Sequence, residues 1–429
     1  MAQDGAQSGA EAGRPFELVT IRLPVKLTFA ALVLGLGFGM IGGGAALPPV
    51  IAEVAALIGG LWLQSLQMTI IPLVASLLVL GLAQMAAAAR AGVVARHFLT
   101  LVFAMLIAGG VSTAIALPLL LGIFPIPPSA AAFLAEVPAG EQAVPGVLDF
   151  LKSLIAPNII AAAADTAMLP LTIFFALFAL AISRLPADQS QRLLGVFHAL
   201  GNAMLLIIGW VLWVAPVGVF ALAFGVGLKS GGGAFAALAH YIVVVSAMGG
   251  IVLVLGYVVA WTLGGIAPLR FAAAMLPAQA VALSTQSSLA SLPAMLESAS
   301  RLNLKPATAE FVLPLAVAIF RATSPAMNMA VALYVGALAG VEISPAVALV
   351  GILVALIISV GSVSLPGSIS FVISVGPIAI AMGVPVEPLA LLVAVEMVPD
   401  IMRTLGNVTM NVAVTSAVDR KAAQASEAS

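Results

Sequence analysis

Charge is what this sequence has least of. Of its 429 residues, 8% are Asp, Glu, Lys or Arg, while 62% are hydrophobic. A soluble domain carries roughly 25% charged residues, because a globule must cover its surface with polar groups. The 16 basic and 17 acidic residues here cannot do that. A soluble enzyme and a disordered chain are excluded on that ground. The net charge of −1 leaves no basic surface for a nucleic acid. Cysteine is absent, so disulfides, thiolate metal sites and a cysteine nucleophile are excluded. The histidines, His97, His198 and His240, lie far apart without metal-ligand spacing and read as loop-edge or packed residues. No HExxH, Walker loop or GxGxxG after a strand occurs, so no metal or cofactor is expected.

What the sequence has is apolar length, with 40 Gly and 27 Pro. Both residues are commoner in membrane helices than in soluble ones. The composition predicts a polytopic membrane protein whose partner is the lipid bilayer. Residues 1–20 are small and polar and read as a cytoplasmic tail. Arg22 and Lys26 precede a long apolar run that reads as a retained first span. Apolar segments follow at 47–87, 93–123, 150–183, 194–228 and 234–265. Several exceed the roughly 20 residues that cross a bilayer, which predicts long, tilted or broken helices.

The last third alternates two kinds of segment. Stretches near 271–303 and 344–382 are rich in Ser, Gly and Pro, and firmer spans lie at 309–336 and 387–416. The irregular stretches resemble each other, with Ser291-Leu292-Pro293 in one and Ser364-Leu365-Pro366-Gly367 in the other. Broken helix at membrane depth is tolerated where it lines a cavity, and a matched pair points to inverted repeats around a binding site. The plainer alternative is two Pro-kinked spans that merely pack.

Loop charges set the topology. Arg14, Arg22, Lys26, Arg90, Arg96, Arg184, Arg192, Arg270, Arg301, Lys305, Arg420 and Lys421 fall on one side if both irregular stretches are re-entrant hairpins. The opposite loops carry Glu136, Glu141, Lys229 and Glu342. The positive-inside rule then predicts eight spans plus two hairpins, both termini cytoplasmic.

Chemistry concentrates in the last span. Glu396, Asp400, Arg403, Asn407 and Asn411 share one helical face, with Thr404 beside them. A charge at membrane depth costs at least about 2.5–3.5 kcal/mol, so these residues need a reason to be there. They are either a structural network, with Asp400 and Arg403 paired, or a ligand site. In the second reading Arg403 holds a carboxylate bidentately and Asp400 holds an ammonium. Arg321, midway along 309–336, either pairs with Glu396 or Asp400 or serves as a second anion hook.

Three further motifs complete a pattern: Met168-Leu169-Pro170-Leu171, Trp213-Val214-Ala215-Pro216-Val217-Gly218-Val219-Phe220-Ala221 and Phe311-Val312-Leu313-Pro314-Leu315. With them, residues 20–416 resemble the dicarboxylate/amino acid:cation symporter family of glutamate and aspartate transporters. The resemblance implies an all-α homotrimer of the bacterial inner membrane, with eight spans, two hairpins and an elevator motion. The scaffold would be 21–92 (spans one and two) and 150–230 (spans four and five). The moving domain would be 93–123 (span three) and 234–416, with span six, both hairpins and spans seven and eight; 417–429 would be a second cytoplasmic tail. The resemblance assigns a small anionic substrate, an acidic amino acid or a dicarboxylate, to Ser287, Ser288, Ser324, Leu365, Pro366, Gly367, Asp400, Arg403, Thr404 and Asn407.

The departures concern the coupling ion, H⁺ or Na⁺. Where the family has Asn-Met-Asp-Gly-Thr, this chain has Phe320-Arg321-Ala322-Thr323-Ser324, and Asn411 stands where many sodium-coupled members have Asp. Hard cations need several oxygen ligands, preferably anionic. Weak or absent sodium coupling is expected, with Arg321 supplying positive charge. Glu396 is expected to pair with Arg321, and is also a candidate proton carrier. A C4-dicarboxylate carrier, and an anion channel or sensor on the same fold, are the alternatives. An intramembrane hydrolase would need a base beside Ser287 or Ser288, and the sequence positions none.

Overall fold

A computed structural model describes residues 24–43, 48–89, 92–128, 155–230, 233–361 and 367–427. The described residues are helices and their connections, with no strand among them. The helices are α1 (Val25–Gly43), α2 (Pro49–Gln67), α3 (Ile70–Ala89), α4 (Val93–Ile123), α5 (Ile159–Ala164), α6 (Met168–Ile182), α7 (Ala187–Trp213), α8 (Ala215–Ser230) and α9 (Gly233–Thr262). They continue with α10 (Pro268–Thr285), α11 (Leu292–Arg301), α12 (Pro306–Ile319), α13 (Thr323–Leu338), α14 (Pro345–Gly361), α15 (Gly367–Ala381), α16 (Glu387–Val395) and α17 (Met397–Glu427). Five described stretches are long and apolar enough to cross a membrane: Pro49–Ala87, Val93–Ile123, Ala187–Trp213, Phe235–Thr262 and Pro306–Leu338.

Proline explains where several long apolar segments break. Its ring clashes with the carbonyl four residues earlier and it offers no N–H, which costs about 3 kcal/mol inside a helix. The turn at Met68 and Thr69 lies four and three residues before Pro72, which splits the segment expected as 47–87. Thr166 precedes Pro170 by four, and the α7–α8 junction precedes Pro216. The same spacing splits two spans expected to be continuous. Pro325 follows the gap at Phe320 and Arg321 between α12 and α13, and Pro399 follows the break at Glu396 between α16 and α17. Proline is not sufficient, since Pro118, Pro277, Pro314 and Pro377 all lie inside continuous helices. At the far end α17 runs on to Glu427, so part of the expected tail at 417–429 is helix.

The first Ser/Gly/Pro-rich stretch folds as a helix–break–helix unit, and in the second two helices flank 362–366, which lie outside the described residues. α10 packs on α11, and α14 packs on α15. Gln286, in the left-handed region at φ 51°, ends α10 and starts the tight tip of the first unit.

Close helix approach is set by glycine where backbones meet. A Cβ on Gly39 would lie 2.3 Å from Phe224 O, and one on Gly227 2.5 Å from Leu36 O, so α1 and α8 cross with backbones in contact. Trp62 ties α2 to α7 through an indole N–H donated to Val211 O at 2.9 Å.

Two large apolar clusters form the core. One joins α1–α3, α7, α8 and the first half of α9 to α13–α16. The other joins α10–α12 to α4, the second half of α9 and α17. The polar residues of the last span lie among α9, α13 and α17, which pack on one another.

Candidate functional site

The site is assembled at the helix breaks. Because α13 starts abruptly at Thr323, its first N–H groups have no intrahelical partner. Ala322 at the N-cap position has no side chain to help. Asn407, from α17, does the capping instead. Its Oδ1 accepts from Thr323 N at 3.0 Å and from Thr323 Oγ1 at 2.9 Å. Thr323 Oγ1 also lies 3.2 Å from Arg403 O. Closeness here depends on Gly406, where a Cβ would come 2.5 Å from Thr323 Cγ2.

Arg403 is the centre of the network. Its Nη2 donates to Glu396 Oε1 at 2.6 Å, its Nη1 donates to Asn328 Oδ1 at 2.7 Å, and its Nε lies 3.4 Å from Asp400 Oδ1. Asn328 Nδ2 passes the chain on to Ser324 Oγ at 2.9 Å. Tyr241, from α9, donates its hydroxyl to Glu396 Oε2 at 3.0 Å. Glu396, Asp400, Arg403, Thr404, Asn407, Ser324 and Asn328 are all buried. Removing two charges from water costs several kcal/mol per ion, and such pairs persist only when their remaining hydrogen-bonding atoms are satisfied. Both oxygens of Glu396 meet that condition.

The pairing corrects one expectation. Glu396 is held by Arg403 and Tyr241, where Arg321 was expected. Arg321 sits in the gap between α12 and α13, half-buried, within the fields of Asp400 and Arg403. It therefore shares their neighbourhood as a second cation.

Other expected residues are placed as follows. Thr404 Oγ1 donates within its helix to Asp400 O at 3.0 Å. Asn411 lies one turn further along α17, fully buried, and its side-chain Nδ2 and Oδ1 have no hydrogen-bond partner. Ser287 and Ser288 are half-buried at the tip between α10 and α11. The Ser287 hydroxyl accepts from Ala290 N at 3.2 Å, which stabilises the tip. Gly367 opens α15. Leu365 and Pro366 lie outside the described residues.

The sequence reading missed Tyr241, Thr323 and Asn328. Asn328 follows Ser324 by four, a helical pairing that the sequence does display. Tyr241 joins Glu396 across 155 residues, and no local pattern signals it.

Comparison with known proteins agrees with this architecture. The model of the sodium:dicarboxylate symporter family matches residues 25–421. The chain is 27% identical to the proton/sodium-glutamate symport protein of Bacillus subtilis over 395 residues, 89% of each chain. It is 29% identical over 272 residues to the proton/glutamate-aspartate symporter of Escherichia coli, 62% of this chain and 60% of that one. It is 26% identical to a C4-dicarboxylate transport protein of Rhizobium etli, across 85% of this chain and 82% of that one. With a family match that runs from the first described helix into the last, this chain belongs to the sodium:dicarboxylate symporter family.

Proposed function

We propose that this protein is a secondary transporter that carries an acidic amino acid such as glutamate or aspartate across the membrane without obligatory sodium. The observation that carries the reading is the convergence of Asp400, Arg403, Asn407 and Ser324 on one buried polar cluster, with Arg321 beside it. Asp400 holds the substrate ammonium, while Arg403 and Arg321 face its carboxylates. Thr404, Asn407, Ser324, the serine tip Ser287–Ser288 and the segment Leu365–Gly367 complete the shell. The glutamate and aspartate named for two relatives support this substrate class.

Loss of sodium coupling follows from charge. Ala322 and Asn411 offer no carboxylate, and Arg321 places a guanidinium near Asp400. Cations bind where oxygen ligands carry negative charge, and a neighbouring guanidinium repels them. In this reading the subunits form a homotrimer with both termini cytoplasmic. Residues 93–123 and 234–416 move as an elevator against 21–92 and 150–230. Uptake of labelled glutamate or aspartate into proteoliposomes, with choline in place of sodium, tests the proposal. Saturable uptake that persists in choline is expected, and a steep sodium requirement would overturn it. The C4-dicarboxylate relative favours a second substrate class, which competition by succinate would reveal.

A further inference from the structure

We infer that His240 is a positioning residue for the buried cluster, setting the place of the two tyrosines that stand behind Glu396; the inference rests on the transport reading above. His240 lies on α9 and is 4% exposed. Its Nε2 is 3.1 Å from Phe124 O, and its Nδ1 is 3.0 Å from the Tyr334 hydroxyl. A carbonyl only accepts, so Nε2 donates to it, and in the neutral ring Nδ1 is left to accept from Tyr334. Phe124 is the C-cap of α4, where a carbonyl finds no intrahelical donor. Its ring stacks on the imidazole with centroids 4.4 Å apart. One side chain thus joins the end of α4, α9 and α13.

From Tyr334 the contacts run on to the charges. Tyr334 is 1% exposed, and its ring meets that of Tyr241 edge-on, with centroids 5.4 Å apart at 70°. Its hydroxyl also lies 3.2 Å from Ala237 O, one turn before Tyr241 on α9. Tyr241 donates its own hydroxyl to Glu396 Oε2 at 3.0 Å, and Glu396 Oε1 accepts from Arg403 Nη2 at 2.6 Å. Interiors are packed to crystal density, so a buried ring turns only if its neighbours yield. With its hydroxyl fixed by His240 and its ring against Tyr241, Tyr334 limits where the Tyr241 hydroxyl can go. The same tyrosine steadies α13, whose first turns carry Ser324 and Asn328.

Hydrogen bonds weaken steeply with misalignment. Without the imidazole, the Tyr334 hydroxyl keeps Ala237 O alone and the ring gains room to tilt. Tyr241 then loses its wall, and its donor drifts from Glu396 Oε2. Arg403, held by Glu396 and Asn328, shifts in turn against Asp400. Substrate affinity falls while the helices stay in place.

The test is a double-mutant cycle, which isolates coupling between residues of one network. Uptake of labelled glutamate into proteoliposomes of the full chain is measured for the unaltered protein, His240→Leu, Tyr241→Phe and the pair. His240→Leu should raise KM about fivefold or more with the maximal rate nearly unchanged. In the Tyr241→Phe background the same change should raise KM less than about twofold, because the bond it protects is already gone. His240→Gln keeps an amide that donates and accepts, and should recover most of the lost affinity. A KM rise of equal size in both backgrounds, or His240→Gln no better than His240→Leu, would overturn the inference and leave the transport reading standing. Absence of saturable uptake by the unaltered protein would overturn the transport reading. The cycle is then read in melting temperatures of the purified proteins in detergent, which need no substrate. Less-than-additive losses there support the coupling, and additive losses overturn it. If His240→Leu does not fold, Tyr334→Phe removes the hydroxyl that Nδ1 holds and takes its place in the cycle.

Discussion

Arg403 Nη2 and Glu396 Oε1 are 2.6 Å apart, and the helix between them is broken at Glu396 itself. In a continuous helix their seven-residue separation corresponds to about 10 Å of rise. The break beside Pro399 and the long arginine stem bring the charges together, and Tyr241 holds the second oxygen at 3.0 Å. Among the described residues, the ion pair of these buried charges therefore sits at an interruption of secondary structure.

Tyr241→Phe removes the donor to Glu396 Oε2 while keeping the ring. A buried carboxylate oxygen without a partner costs about 1–3 kcal/mol. The melting temperature of the purified protein in detergent should fall by several degrees, with helix content unchanged. A melting temperature equal to that of the unaltered protein would show that Glu396 does not need this bond.

Gly406→Ala places a Cβ 2.5 Å from Thr323 Cγ2, well inside van der Waals contact. Forcing α17 away from α13 should destabilise the protein by about 1–3 kcal/mol and weaken the Asn407 cap. Thr323→Ser keeps the hydroxyl and deletes the clashing methyl. The double variant should therefore recover most of the stability in thermal melts, and a double variant no better than Gly406→Ala would refute the contact.

Pro399→Ala returns an N–H to the chain and relieves the clash with the Val395 carbonyl. The helix should then extend through Glu396 and redirect its side chain. Uptake should drop at least about tenfold while the melting temperature holds or rises, since a local strain is released at the expense of the site. Parallel uptake and melting curves check this pairing of effects.

Restoring carboxylates tests the sodium argument from the other side. The triple change Arg321→Met, Ala322→Asp and Asn411→Asp removes the guanidinium and adds two anionic oxygen ligand groups. Substrate binding to the purified triple variant should become sodium-dependent, measured by calorimetry in sodium and in choline. Binding that stays indifferent to sodium would mean that other residues prevent the coupling.

The two proline-split spans show how far local reading goes. Residues 309–336 and 387–416 are apolar enough to read as single spans, and periodicity over them placed Glu396, Asp400 and Arg403 on one face. Periodicity assumes an uninterrupted helix. Pro325 and Pro399 are visible in the sequence, yet so are Pro314 and Pro377, which leave their helices whole. Whether a helix breaks depends on what satisfies the freed backbone groups. For α13 that is Asn407, a residue 84 positions from Thr323.

By itself the sequence determined that this chain lives in lipid, because too few charges exist to cover a soluble surface. It also pointed to where buried charge gathers, because charges at membrane depth are rare enough to be conspicuous. Only the tertiary structure decided the pairing. Glu396 goes to Arg403 and Tyr241, Asn328 joins Arg403 to Ser324, and Arg321 stands beside Asp400. Partner choice among buried charges is set by distances of a few ångströms between helices remote in sequence, and those follow from packing at positions such as Gly406 and from breaks whose unpaired N–H groups find an acceptor on another helix.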